Sequence, residues 1–175
     1  LLKIIYPSNP ILRKKAARVT VFDGRLQTLI DDMIETMKAA PGVGLAAPQV
    51  AQSLRLFVAR LDEDAAAGDN TDAPAPPGLG RTHVMINPKI TGFIGETVAG
   101  TEACLSIPEY LGDVSRPHGI IIKYLDRHGQ KRKLSTHGWM ARVLQHEYDH
   151  LDGVLFIDRA EKVWHAEPAE QAQTE

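Results

Sequence analysis

His146 and His150 stand four residues apart near the end of a stretch, Gly138 to Leu151, that reads as a helix. On a helix, residues i and i+4 leave the same face one turn apart, so both imidazoles can reach one ion. Glu147 lies between them in sequence, where a carboxylate can move protons beside a bound cation. Ser135 or Thr136 is the expected N-cap, and Trp139, Val143 and Leu144 are expected to face inward. The bland alternative is an ordinary helix with two unrelated histidines, because a bare HExxH pattern also arises by chance.

A catalytic ion needs a third protein ligand and an open position. The extended metzincin pattern HExxHxxGxxH fits as far as Gly153 but meets Phe156 where its third histidine belongs, so that class is excluded. A thermolysin-like site would draw on Glu161, Glu167 or Glu170, all in a polar tail without a strong apolar stripe. Cys104 is the better candidate, because a thiolate is a strong ligand and this residue directly follows an expected strand. A small buried hydrophobe is the alternative reading of Cys104, and the tail carboxylates also stay open at this point.

The 175 residues, 43% of them hydrophobic, suffice for one compact core and fall short of two ordinary domains, so a single domain is expected. Charge is close to balance, with 20 Lys and Arg against 22 Asp and Glu, so no net field draws the chain to nucleic acid or to an anionic membrane. Its longest apolar runs, such as Ile120 to Ile122, are far below the roughly 20 residues of a bilayer-spanning helix, and no secretory segment follows Leu1. A soluble, cytoplasmic protein is expected. Cys104 is the only cysteine, which rules out an intrachain disulfide and leaves the thiol to be explained otherwise.

Leu26, Leu29, Ile30, Met33, Ile34 and Met37 form one apolar stripe, predicting a helix capped by Asp23 and ended by Pro41-Gly42. Leu54, Leu56 and Val58 alternate with Arg55 and Phe57, predicting a strand with one buried face. Asp62 to Thr82 holds five acidic residues, has no base before Arg81 and lacks apolar periodicity, which predicts a mobile loop. Strands are predicted at His83 to Asn87, Lys89 to Ile94, Thr97 to Glu102 and Gly119 to Leu125, the last turning through Asp126-Arg127-His128-Gly129 into Lys131 to Leu134. Residues 161–175 read as a polar C-terminal tail that forms a short helix or frays.

Three ordered segments, Gly42 to Gln49 (GVGLAAPQ), Glu102 to Ser106 (EACLS) and Gln145 to Gly153 (QHEYDHLDG), resemble the motifs of the peptide deformylases. Ile4 to Val19, with Pro7, Leu12 and Arg13, and Asp31-Asp32-Met33 are similar to that family too. The resemblance implies an α+β fold with antiparallel and mixed sheets around a central HExxH helix. It implies metal-dependent removal of the N-formyl group from the N-terminal methionine of new polypeptides, releasing formate. By position, Cys104, His146 and His150 would hold one divalent ion, Fe2+ foremost, with Zn2+, Ni2+ or Co2+ as alternatives. Glu147 would be the general acid and base, Gln49 and the Leu105 backbone N–H would bind the carbonyl, and Val43, Gly44 and Leu45 would border the substrate.

One departure stands out: Ala103 occupies a position that is usually glycine in the family's second motif. Its methyl group either points away harmlessly or narrows the cleft and marks a paralogue of low or altered activity; a zinc endopeptidase with a tail carboxylate is the other alternative. The basic residues Arg13 to Lys15 and Arg127 to Lys133 read as solvated charge, with transient ribosome contact as the competing reading. The partners expected are N-formyl-methionyl nascent peptides, with no direct nucleic-acid or membrane role.

Overall fold

The computed structural model describes residues 1–64 and 74–166. Helix α1 spans Gly24–Ala39, and the Asp23 carboxylate accepts a hydrogen bond from the Leu26 N–H at its first turn, as the sequence predicts. Leu26, Ile30, Met33 and Met37 are its buried stripe. Strands follow at Gly44–Ala46 (β1), Leu56–Ala59 (β2), His83–Cys104 (β3), Ile107–Leu125 (β4) and Lys131–His137 (β5). The chain then runs through helix α2 (Gly138–Leu151), a short helix α3 (Phe156–Arg159) and strand β6 (Lys162–His165).

All pairings between these strands are antiparallel, in the order β1-β2-β3-β4-β5, with β6 pairing Tyr110 to Asp113 of β4 on the edge opposite β3. A mixed sheet is not what forms: the one parallel pairing among the described residues is the isolated bridge Ala17 to Leu54. One apolar cluster, including Leu26, Ile30, Met33, Leu45, Leu56 and Ile86, lies on the α1 side. A second, including Phe57, Met85, Ile120, Ile122, Met140 and Leu144, lies on the α2 side. With both faces covered, every residue of β2 is buried, so the expected one-sided strand at Leu54 to Val58 is corrected.

The three strands expected between His83 and Glu102 are one strand with irregularities. Register against β4 shifts between Ile86 and Lys89, between Ile90 and Gly92, and between Ile94 and Thr97. Pro88 and Gly95 fall in the first and third of these shifts. In sequence, a residue that breaks a ladder locally reads as a strand end, but a bulge bends the strand and lets it continue.

Asp126 caps the turn into β5, accepting from the N–H groups of His128 and Gln130 at 2.9 and 3.0 Å. The expected Ser135 or Thr136 cap of α2 is not made. Both belong to β5, and the Thr136 hydroxyl donates to Pro77 O at 2.7 Å, so α2 begins at Gly138, whose φ of 63° turns strand directly into helix. That bond also pins one end of the segment expected to be a mobile loop. The Gly80 N–H bonds Leu61 O at 2.9 Å and His83 Nε2 meets Gly78 O at 2.7 Å; residues 65–73 lie outside the described part. The expected polar tail contributes β6, while residues 167–175 are again outside it. No described helix is long and apolar enough to cross a membrane.

Candidate metal centre

Helix α2 buries Met140, Ala141, Val143, Leu144 and Leu151, and also Arg142, Glu147, Asp149 and His150. Val143 and Leu144 face inward as expected, but Trp139 is 43% exposed. It sits in the first turn at the mouth of a cleft, with the Arg142 guanidinium 5.6 Å from its ring centroid.

The last turn of α2 meets the end of β3. Ligand atoms of Cys104, His146 and His150 all lie within 4.8 Å of one another, and Cys104 Sγ is 3.4 Å from His150 Nε2. This donor set of one thiolate and two imidazoles fits a divalent transition metal. His150 Nδ1 is buried without a partner, which leaves Nε2 as the atom turned to the thiol. Phe156, where a metzincin would place its third histidine, is 2% exposed and packs at 6.1 Å between centroids against the His146 ring. Of the alternative carboxylates, Glu161 is exposed and outside this group, and Glu167 and Glu170 fall outside the described residues.

His146 Nδ1 donates to Glu102 Oε1 at 2.9 Å, which points Nε2 at the centre. Glu102 is 6% exposed and also accepts from Arg116 Nε at 2.6 Å, Arg116 Nη2 at 2.9 Å and Arg142 Nη1 at 2.7 Å. Desolvation pushes its pKa up, but the Arg116 and His146 bonds outweigh this and hold it at about 2. Arg116 continues to Asp149 at 2.9 Å, and Asp149 accepts from Arg159 as well. Desolvation lowers the pKa of His146, yet its bonds to Cys104 and Glu102 raise it to about 10. Desolvation, joined by the His146 and Arg116 charges, keeps His150 neutral, its ligating form.

Glu147 is 4% exposed, its Oε1 lies 4.0 Å from His146 Nε2, and Oε2 has no hydrogen-bond partner. Desolvation raises its pKa to about 7, a value suited to both taking and returning a proton at neutral pH. Gly44 makes room for it, since a Cβ there would stand 2.8 Å from the Glu147 carboxyl carbon. The structure requires glycine here for close approach within β1.

Gln49, in a buried 3-10 turn, accepts the Ala46 N–H at 2.9 Å through Oε1, which aims Nε2 at Ser106 Oγ (3.1 Å) and Cys104 Sγ (3.5 Å). The cleft above these groups holds about 510 Å³ and is lined by Val43, Gly44, Ala103, Leu105, Trp139 and Glu147 among others. Leu45 differs from the other two residues expected to border substrate: its side chain is fully buried in the cluster beneath α1. Ala103 is exposed and its φ is not in the left-handed region, so the backbone does not require glycine there. Sequence reasoning missed Arg116, Arg142, Asp149 and the bond that Glu102 makes to His146. A cation one turn before His146 on a buried helix was the signal available for Arg142.

The family model described as polypeptide deformylase matches residues 1–165. Peptide deformylase 2 of Nostoc sp. is 49% identical over 162 residues, covering 92% of this chain and 87% of that protein. The crystal structure of peptide deformylase from Thermotoga maritima superposes with a TM-score of 0.80 at 39% identity, covering 93% of this chain and 99% of that one. The crystal structure of the Thermus thermophilus peptide deformylase gives a TM-score of 0.78 at 43% identity over 91% and 85%. Motifs, metal-ligand geometry and these likenesses agree: the chain belongs to the polypeptide deformylase family.

Proposed function

We propose that this chain is one catalytic domain, centred on α2, that removes the N-formyl group from the N-terminal methionine of new polypeptides in the cytoplasm. Cys104, His146 and His150 hold one divalent cation, with iron(II) the first candidate among the metals that such donors accept. The observation that carries this reading is Glu147: a buried carboxylate with a free oxygen, held beside three converging ligand atoms in an open cleft.

When bound, a divalent cation supplies Lewis-acid chemistry that makes water acidic near neutral pH and polarises an amide carbonyl. Glu147 takes the proton from the attacking water and returns it to the departing α-amino group, so one carboxylate serves both halves. The Gln49 amide, oriented by Ala46, and the Leu105 backbone N–H donate to the carbonyl oxygen as charge develops there. Val43 and Gly44 flank the substrate; Leu45 acts through its backbone and the core beneath. Ala103 stands at the rim and leaves the cleft open, which favours an active enzyme over an obstructed paralogue.

Purified protein loaded anaerobically with iron(II) or nickel(II) is expected to release formate from an N-formyl-methionyl peptide. Glu147→Ala should abolish release while keeping the metal, and Cys104→Ser should lose the metal. Failure of the loaded protein to release formate would overturn the reading. Contact with the ribosome is the finer proposal, supported by the exposed Lys131 and Lys133; unchanged ribosome binding after charge reversal there removes it.

A further inference from the structure

Arg142 is a buried cation that the proposed chemistry does not use. It is 8% exposed, and its donors go to three acceptors: Nη1 to Glu102 Oε2 at 2.7 Å and to Val114 O at 2.8 Å, and Nη2 to Val98 O at 2.7 Å. Val98, Gly100 and Glu102 alternate along β3 and so share one face, and Val114 is the cross-strand partner of Gly100. The guanidinium lies where a side chain of residue 100 would go, since a Cβ on Gly100 would be 2.7 Å from Arg142 Cζ. One planar group from α2 therefore ties together a carboxylate and two backbone carbonyls of the β3–β4 hairpin, at the end that carries Cys104.

The same carboxylate directs His146. Arg116 also bonds Glu102 and reaches Asp149 of α2, but it comes from β4 and its guanidinium makes no bond to β3 backbone. Arg142 fixes the carboxylate directly from the helix that bears two ligands and, through Val98 O, to the backbone of the strand that bears the third. We propose that Arg142 is a positioning residue for the metal centre, aligning α2 with the Cys104 end of β3 through Glu102, and that Gly100 is the position that admits it. Metal-site carboxylates that orient a ligating histidine carry about 10–100-fold in metal affinity, and Arg142 should carry an effect of that order through Glu102.

This rests on Cys104, His146 and His150 being the ligands, and the test separates the two ideas. Nickel(II) affinity is measured by chelator competition on the full chain, with no reliance on turnover. Arg142→Met is expected to bind nickel(II) about 10–100-fold more weakly and to shift the cobalt(II) absorption spectrum, which reports ligand geometry. Arg142→Lys, keeping one donor for Glu102, should recover part of the loss. Gly100→Ala should weaken binding in the wild-type chain and add little in the Arg142→Met background, because the methyl then fills vacated space. Wild-type affinity and an unshifted cobalt(II) spectrum in folded Arg142→Met would overturn the proposal, as would strictly additive effects of the two substitutions. If Arg142→Met does not fold, Arg142→Lys and Gly100→Ala decide by the same measurements. Wild-type nickel(II) binding by Cys104→Ser would instead overturn the ligand assignment.

Discussion

Two groups of charge gather at opposite ends of the β3–β4 hairpin, drawing on α2 at one and on β5 at the other, and are built on opposite terms. At the metal end, Glu102, Arg116, Arg142 and Asp149 are all buried, and each carboxylate accepts from at least two arginine or histidine donors. Farther along, Lys89 pairs in register with Lys123, and Lys123 with Lys133, so three exposed lysines stand abreast on neighbouring strands. None of the three has a carboxylate within ion-pair distance among the described residues. Water makes the difference: it screens the lysine row cheaply, whereas a charge withdrawn from water must find its counter-charge within the fold.

Removing one cation from each group should break this symmetry most visibly. Arg116→Met removes the one donor shared by both buried carboxylates, leaving Glu102 to Arg142 and His146 and Asp149 to Arg159, and is expected to cost about 3 kcal/mol in urea unfolding. Lys123→Met, of similar length but exposed, should stay within about 0.5 kcal/mol. Equal costs would mean that the buried network is solvated or redundant.

A methyl group tests packing at the same two ends. A Cβ on Gly44 would lie 2.8 Å from the Glu147 carboxyl carbon, whereas one on Gly92, close to the lysine row, would meet Ile121 at 3.4 Å, an ordinary contact. Gly44→Ala should therefore displace the carboxylate and lower kcat for formate release by about 100-fold, the scale of an ångström of misplacement, with metal content unchanged. Gly92→Ala should leave turnover as it was.

The same contrast explains what could be read from the sequence. Helix α1 was legible because its signals are local: Asp23 caps it and its apolar stripe faces the core. Spacing singled out His146 and His150 and ligand chemistry favoured Cys104 without closing the tail alternatives; the resemblance joined the three and implied the substrate, and the fold brings their ligand atoms within 4.8 Å of one another. Arg142 was harder to read: its place one turn before His146 was the only local signal, and its burial depends on Gly100 of a strand 42 residues away in sequence. Trp139 was misplaced for a related reason: helical spacing locates a face but not the cleft that opens beside it. Strand β6, with Lys162 and His165 exposed, carries no periodic signal and forms because β4 offers a free edge at Tyr110 to Asp113.

Burial also acts on a proton. Desolvation holds the pKa of His83 below its ordinary value, although Gly78 O and Arg81 act on it in opposite directions, so the folded state prefers the neutral ring. A folded pKa lower than the unfolded one gives stability that is complete above about 6.5 and is lost as pH falls below it. Between pH 7.5 and 5.5 the wild-type chain should lose more stability to urea than His83→Gln, which keeps a donor for Gly78 O but does not titrate. Parallel pH profiles would show that the ring is not held neutral.

The lysine row offers the smallest effect and the sharpest check on screening. Lys123 is the middle member, so Lys123→Glu converts two cross-strand repulsions, with Lys89 and Lys133, into two attractions. Each such pair is worth about 0.2–1 kcal/mol, so the variant should be more stable than the wild type by about 0.4–2 kcal/mol at low salt. Lys133→Glu changes only one of these pairs and should gain about half as much. Both gains should fade toward about 1 M salt, where the Debye length shrinks to roughly 3 Å. A gain that persists at high salt would point to packing or strand propensity instead of charge, and a loss at low salt would mean that the row is not repulsive in the folded protein.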